Sequence, residues 1–482
     1  MVFVGTLIRC GLVGCLCVGC ALQAAKSPEP KLPAAFEWAP AGDSSRWPSK
    51  DWYQGFASTE LDALISEATA NNLDLATARA RVAQADARAR QAHAGILPTV
   101  DAAGNANYLA GHSVNGTAHE TDWSALLSAS YEVDFWGKNR ATANSARYLA
   151  AASRADRDTV ALTTLAGVAN GYFQVLSLRE RLDVARSNVD AARGLMEVVE
   201  SRYKVGMSNP VDLATQKAAL ATAELTVPEL EQLHVEAVAA LAVLLGRSSE
   251  GFKVEGTSLE SLQEPKVAAG LPSDLLRRRP DIFTAESNLG SAAADLVAAR
   301  AALFPSFSLT ASGGLQNPAL NAAVISLSGA GPTLNLGAAL TQPIFNGGKL
   351  RAARAEAQAK QQESATNYRA AIVSALVDVE NALSAIQHLD AARDFQNENV
   401  TQSERAFEGA KLRYKQGVGD FLSVLEAQRI LYTVRDQFIQ YRLARLQALV
   451  SLCKALGGGW QAPDAVAQPQ GAAMPAASKP QF

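Results

Sequence analysis

Metal and general-base chemistry would first be sought at His93, His112, His119, His234 and His388, and none has a partner at ligand spacing. A zinc-hydrolase helix needs His-Glu-x-x-His to bring two imidazoles onto one face, and no such pair occurs. Gly347-Gly348-Lys349 offers a lysine after glycines, but lacks the upstream glycine and the following Ser or Thr of a phosphate loop. The run Arg277 to Arg279 is too short to grip nucleic acid and is expected at a helix end or on an outer surface. With 44 basic against 47 acidic residues there is no polyanion-binding field. No nucleophile stands beside a base. These patterns point away from an enzyme, a bound cofactor, a metal site and a nucleic-acid partner.

The cysteines suggest chemistry of another kind. Cys10, Cys15, Cys17 and Cys20 all fall in the first twenty residues, and only Cys453 lies in the body, which excludes an intramolecular disulfide framework. Arg9 is the only charged side chain before Lys26, and Cys10 to Ala25 is an apolar, small-residue stretch. Its length falls short of the roughly 20 residues that span a bilayer, so it reads as a cleaved export signal. The stretch resembles a bacterial lipoprotein signal, in which small residues precede a cysteine that is acylated after cleavage. Val18-Gly19-Cys20-Ala21 follows an apolar run of usable length, whereas Leu12-Val13-Gly14-Cys15 fits the local pattern better but lies close to Arg9. Cys20 is the favoured attachment site and Cys15 the alternative. An ordinary signal with incidental cysteines is the remaining reading.

Two segments organise the rest of the chain. Arg202-Tyr203-Lys204-Val205-Gly206 and Arg413-Tyr414-Lys415-Gln416-Gly417 lie 211 residues apart, each between long Ala-rich runs. They predict helical hairpins that turn at Gly206 and at Gly417 and Gly419. A helix can run from Lys138 to Lys204, 67 residues or roughly 100 Å. Apolar or Ala positions at 165, 168, 172, 175, 178, 182, 185, 189, 192, 196, 199 and 203 make a coiled-coil seam with one phase slip. A shift of 211 carries Leu165, Val168, Tyr172, Val175 and Leu178 onto Leu376, Val379, Leu383, Ile386 and Leu389. After Gly206 the helix resumes near Val211 and should kink or break at Pro228. Upstream, Ser58 is a predicted N-cap, and a helix from Leu73 to Leu97 stops at Pro98, as its counterpart stops at Pro305. Matched breakers in a common order mark an internal duplication.

Each half also holds a pair of stretches with period two. Trp123, Ala125, Leu127, Ala129, Tyr131 and Val133 alternate with a set that is polar except for Leu126. Val100, Ala102, Ala106 and Tyr108 alternate with Asp101, Asn105 and Asn107, and Phe307, Leu309 and Ala311 with Ser308, Thr310 and Ser312. Leu334, Leu336, Ala338 and Leu340 supply the last apolar set. Strands of about 10 to 12 residues match the 9 to 11 that cross a bilayer when tilted. In hydrocarbon such strands must close into a barrel. Four cannot close, because the smallest barrels of this kind use about eight, so the barrel has to be shared between subunits.

The most specific stretch is Gly270-Leu271-Pro272-Ser273-Asp274-Leu275-Leu276-Arg277-Arg278-Arg279-Pro280-Asp281-Ile282, followed by Ala285-Glu286. Together with Asn71-Asn72-Leu73-Asp74, Phe345-Asn346-Gly347-Gly348 and the two Arg-Tyr-Lys-x-Gly turns, it resembles the TolC-type outer-membrane efflux proteins. The resemblance is to the lipoprotein branch that includes OprM and NodT-like channels, and it covers roughly residues 45 to 460. It implies an α+β membrane protein whose four membrane strands per chain complete a trimeric 12-stranded β-barrel. A long α-helical coiled-coil barrel continues that β-barrel into the periplasm. It further implies a homotrimer lipid-anchored in the bacterial outer membrane, with a periplasmic adaptor and an inner-membrane pump of RND type as partners. In relatives an apolar residue and a carboxylate one helical turn apart ring the closed tip. The matching positions are Leu422 and Glu426, with Asp420 and Asp212 as further gate candidates. A three-fold ring of carboxylates is expected to have raised pKa values through mutual repulsion.

The expected organisation is a signal peptide at 1–19 and an extended arm at 20–57. A first repeat at 58–246 holds a strand pair near 99–134 and a tip near 203–212. A linker at 247–277 leads to a second repeat at 278–460, with strands near 305–345 and a tip near 414–422. Residues 461–482 form a disordered tail. The function implied is a passive exit duct for small molecules in a tripartite efflux system. The alternatives are a duct for protein secretion and a coiled-coil adaptor without a pore.

Overall fold

The computed structural model describes residues 32–39, 47–113, 116–267, 270–321 and 331–463. Cys15, Cys20 and the tail from residue 464 lie outside the described residues. The chain forms two compact units. One takes residues 81–153 and 284–369. The other takes residues 32–80, 154–283 and 370–463. Each therefore draws segments from both halves of the sequence.

The first half begins with α1 (Thr59–Asn71) and α2 (Leu73–Ala94), followed by β1 (Thr99–Ser113) and β2 (Gly116–Val133). The long helix α3 (Lys138–Lys204) and α4 (Pro210–Leu244) complete it. A short α5 (Leu275–Arg278) opens the second half. It continues with α6 (Pro280–Ala301), β3 (Ser306–Asn321), β4 (Gly331–Thr341), α7 (Lys349–Lys415) and α8 (Phe421–Ala455). Ser58 caps α1 as its sequence position predicts, its Oγ accepting the Leu61 N–H at 3.2 Å. α2 stops three residues before the expected Leu97.

The first unit holds one antiparallel sheet in the order β1-β2-β3-β4. Its register joins the alternating sets into two faces. Val100, Ala129, Ala311 and Leu336 lie opposite one another across the four strands, and Val133, Phe307 and Leu340 across three. On the other face Asp101, Ser128, Ser312 and Asn335 form a row, and so do Thr99, Ser130 and Thr310. Val100, Leu127, Leu334, Leu336 and Leu340 are exposed on the apolar face. The strands hold 15, 18, 16 and 11 residues, so three exceed the expected 10 to 12. Hairpin pairing carries the ladder well past the alternating core of each segment. Aromatic rings gather where strands meet helices: Trp136 stacks on Phe304 at 4.8 Å, and Phe135 meets Phe307 edge-on at 5.2 Å.

In the second unit, the α3 seam is buried as the three-four stepping requires. Val168, Tyr172, Val175, Leu178, Leu182, Ala185, Val189, Ala192 and Val199 are buried, with Leu195 buried where Met196 was expected and Tyr203 exposed. The arm is less extended than its Pro, Trp and Ser content suggests. Trp52 and Phe56 form a 3-10 turn that enters the core beside Phe173. Pro228 neither breaks α4 nor ends it. Leu230 on one side of it is buried against Leu178, Leu182 and Ala185, and this packing holds the helix through the missing hydrogen bond.

The two halves finish their last helices in the same way. Gly246 and Gly457 both take positive φ just past α4 and α8, and a Cβ on either would strike a backbone carbonyl, of Asn71 or Arg278. Beside those contacts, Asn72 Nδ2 donates to Leu244 O at 2.8 Å and Arg279 Nη1 to Ala455 O at 3.0 Å. Each side chain satisfies a carbonyl at a helix end that would otherwise lack a partner.

Candidate functional site

Both hairpins of the second unit turn through the same backbone device. At the end of α3 the Gly206 N–H donates to Tyr203 O and the Met207 N–H to Arg202 O. At the end of α7, Gly417 donates to Tyr414 O and Val418 to Arg413 O. These paired bonds are a Schellman closure, and Gly206 and Gly417 supply its left-handed residue at φ +74° and +78°. Gly419 has no positive φ. It is required for space, because a Cβ there would lie 3.0 Å from Arg413 Cβ and 3.2 Å from Tyr414 N.

The helices restart on side-chain caps. Asn209 Oδ1 accepts the Asp212 N–H at 2.8 Å and Asp212 Oδ2 accepts the Asn209 N–H at 3.5 Å, a reciprocal capping box, and Ser208 Oγ also donates to Asp212 Oδ2 at 2.9 Å. Asp420 Oδ1 accepts the Ser423 N–H at 2.7 Å, and its Oδ2 accepts the Ser423 hydroxyl at 2.9 Å. These bonds, from the Ser423 backbone first and then its side chain, hold the Asp420 carboxyl below its usual range. Asp212 and Asp420 are thus both engaged in starting helices.

Leu422 and Glu426 share one exposed face of α8, at i and i+4, and Leu422 is 72% exposed. They line one groove with Gln402, Ser403 and Ala406 of α7. Glu426 accepts two bonds from Arg429, at 2.7 and 3.1 Å. The hydrogen bond and charge of Arg429 hold the Glu426 pKa below its usual value. Within one chain this lowering comes from Arg429, a cation one turn further along the same helix. The raised value expected of a carboxylate ring would come from neighbouring chains.

The hairpins also touch each other. The Arg202 guanidinium lies 4.5 Å above the Tyr414 ring and donates to Tyr414 O. Tyr414 is buried in a cluster with Leu195, Val199, Phe407, Phe421, Val424 and Leu431. Within the first hairpin Gln216 Nε2 donates to Ala192 O at 3.0 Å, and between the hairpins Tyr432 OH, which accepts from Gln428 Nε2 at 2.7 Å, donates to Asn188 O at 2.7 Å.

The Arg-rich motif sits at the end of α5, one of the two places expected, with Arg277 exposed. Arg279 is buried, and it bonds Asp281 at 2.6 Å and Asp378 at 3.0 Å as well as Ala455 O. Burial alone would lower its pKa, but these two carboxylates overcome that and hold it above its ordinary value. Arg278 stacks over the Trp47 ring at 4.7 Å. Among the described residues no cluster of His, Cys, Asp and Glu is arranged to hold a metal ion.

A four-stranded sheet with one apolar face, and two glycine-turned hairpins of 67- and 35-residue helices, together define a membrane channel of the helical-barrel class. The chain belongs to the outer membrane efflux protein family, whose profile matches residues 64–247 and again 271–458. It is 43% identical over 438 residues to the pyoverdine export outer membrane protein OpmQ of Pseudomonas aeruginosa, covering 89% of this chain and 91% of that one. It is 32% identical to the cation efflux system protein CusC of Escherichia coli, over 85% and 88% of the two chains. Among solved structures it is similar to the open-state MtrE outer membrane channel of Neisseria gonorrhoeae. The TM-score is 0.80 at 30% identity, with 91% of this chain and 98% of that one covered. The fold is that of the TolC-type channels, and the protein is an outer-membrane efflux channel.

Proposed function

We propose that three copies of this chain close a 12-stranded barrel in the outer membrane and form the exit duct of a tripartite efflux system. The observation that carries the trimer is the sheet itself. It presents one continuous apolar face, yet within one chain it leaves β1 and β4 without an outer neighbour. Hydrocarbon does not tolerate such edges, and four strands are too few to close on themselves. Copies of the same sheet, paired edge to edge, satisfy both requirements.

In this reading Leu422 and Glu426 form the periplasmic gate, while Asp420 and Asp212 fix the helix starts that present it. Gly206, Gly417 and Gly419 allow the turns. An adaptor protein engages the hairpins, and an inner-membrane pump of the RND type supplies cargo and energy. The mature N-terminus is acylated at Cys20, with Cys15 as the alternative. The cargo is a small molecule, and the likeness to OpmQ makes a pyoverdine-like compound the first to test. Purified protein in planar bilayers should conduct, and L422S/E426Q should raise its conductance. A protein without conductance sinks the duct, and an unchanged double variant removes these two residues from the gate.

A further inference from the structure

We propose that the helix-side end of the sheet binds anionic phospholipid headgroups through a collar of cations set just beyond its aromatic rings. The inference rests on the membrane reading of the sheet above and goes beyond it to the lipid that the channel prefers. Thr99 pairs with Ser130, Val133 with Phe307 and Ser306 with Thr341, which puts these strand termini at one end of the sheet. The chain crosses that end four times, on its way between the strands and α2, α3, α6 and α7. About two turns of each helix nearest the sheet are residues 88–94, 138–144, 295–301 and 349–355. They hold eight Lys and Arg residues and one acid, Asp295. The strands themselves hold no Lys or Arg, and the chain as a whole is net negative. The cations are gathered at this end.

Some of these charges are already used. Lys138 and Arg140 pair with Glu132 and Asp134 at 2.7 and 3.3 Å, and Asp295 pairs with Lys360 at 3.6 Å. Arg88, Arg90, Lys349, Arg351 and Arg354 are exposed, and among the described residues none of them has a carboxylate partner within the chain. Three of the five follow directly on Ile344 and Phe345, which are each 91% exposed. Trp136 and Phe304 stack at the same end of the sheet, and Trp136 Nε1 donates to Pro305 O at 2.7 Å. Aromatic rings of this kind lie at the headgroup level of a bilayer, so cations just beyond them meet phosphates. Lys349 and Arg354 are five residues apart, about 8 Å along the helix, a depth that long side chains can cover. A zwitterionic headgroup brings its own cation to this collar. A headgroup of the phosphatidylglycerol type brings a net negative charge, and each Lys or Arg near such a surface strengthens binding about fivefold.

The test is quenching of tryptophan fluorescence by acyl-brominated lipids in vesicles that hold the full-length protein. Trp123 in β2 and Trp136 at the collar are the reporters. At low salt, brominated phosphatidylglycerol should bind at least about fivefold better than brominated phosphatidylcholine. In about 1 M salt, where screening shortens to about 3 Å, the ratio should fall near one. K349Q/R351Q/R354Q should bring it near one at low salt, while R186Q, which removes a cation well down α3, should leave it unchanged. The salt series needs wild type alone, so it decides the matter even if the triple variant fails to assemble. Equal quenching by the two lipids at low salt, a preference that survives high salt, or one that the triple variant keeps would each overturn the collar and leave the sheet in the membrane. If neither lipid quenches, the membrane reading of the sheet has itself failed.

Discussion

Replacing Arg279 by Ala tests the structural reading of the most specific motif in the chain. The side chain is 10% exposed and serves three acceptors: Ala455 O, Asp281 and Asp378. The bond to the carbonyl at the end of α8 is charge-assisted and buried, and losing it costs about 1.5–3 kcal/mol. The two carboxylates are 37% and 47% exposed, so water can take over their solvation, and each adds only about 0–1 kcal/mol. R279A should therefore destabilise by about 2–4 kcal/mol. Its counterpart at the end of α4 is Asn72, which donates to Leu244 O and accepts the Leu75 N–H at 2.9 Å. N72A loses one helix cap and one neutral bond, for about 2 kcal/mol. R279K should fall between wild type and R279A, since a point-like ammonium cannot reach three acceptors in a fork. Urea unfolding of the detergent-solubilised protein, followed by far-UV circular dichroism, measures all three. An R279A loss below about 1 kcal/mol, or an R279K equal to wild type, would refute the clamp.

Three further outcomes are expected. G417A forces an L side chain into a left-handed turn and should cost about 1–2 kcal/mol in the same unfolding assay, as should G206A. L336R places a charge on the apolar face and should cost about 2–4 kcal/mol and abolish assembly into the outer membrane. N335R, on the polar face one residue away, should assemble; equal outcomes for the two would reverse the assignment of the faces. The Glu426 carboxyl titrates below its ordinary 4.5, so its pairing with Arg429 is complete above that value and is lost only as pH falls through the lower folded one. The reversal potential of the channel should accordingly be constant from about pH 7 to about pH 5. A titration inside that window would instead show the raised pKa of a repelling carboxylate ring in the assembled channel.

The long elements were legible because local and global signals agree. The breakers at Pro98, Gly206, Pro305 and Gly417 bound the runs, and the three-four stepping between them is the buried seam of α3. Period-two alternation placed the strands, and the observed register merely aligns sets that were already apolar or polar. What was not legible depends on partners far away in sequence. The run Arg277 to Arg279 reads as a helix-end or surface run, and the burial of Arg279 was hidden because one of its carboxylates, Asp378, lies 99 residues distant. Trp52 and Phe56 sit in a stretch whose composition suggests an extended arm, yet two aromatic side chains bury enough area to dock it. The pairing of Arg429 with Glu426 was also missed, although the cation lies only three residues further along the chain.

The duplication makes the remaining differences between the halves informative. Seam positions Val175 and Leu178 of α3 are buried within the chain, whereas their counterparts Ile386 and Leu389 on α7 are only half-buried. α7 also carries Val373, Val377 and Phe395 exposed, the last at 79%. Two copies of one helical pattern should need equal cover, since the hydrophobic gain scales with apolar area removed from water at about 25 cal/mol per Å². Val379 and Leu383 of α7 are buried like their counterparts Val168 and Tyr172, so it is the part of α7 around Ile386 and Leu389 that lacks cover inside the chain. A further copy of the chain can supply it, and the same is true of the open edges of β1 and β4. The helix α7 and the edge strands β1 and β4 therefore call for neighbours on independent grounds, one from water-exposed apolar surface and the other from unpaired backbone. A single assembly of identical chains answers both, and the 12-stranded trimer proposed above is an assembly of that kind.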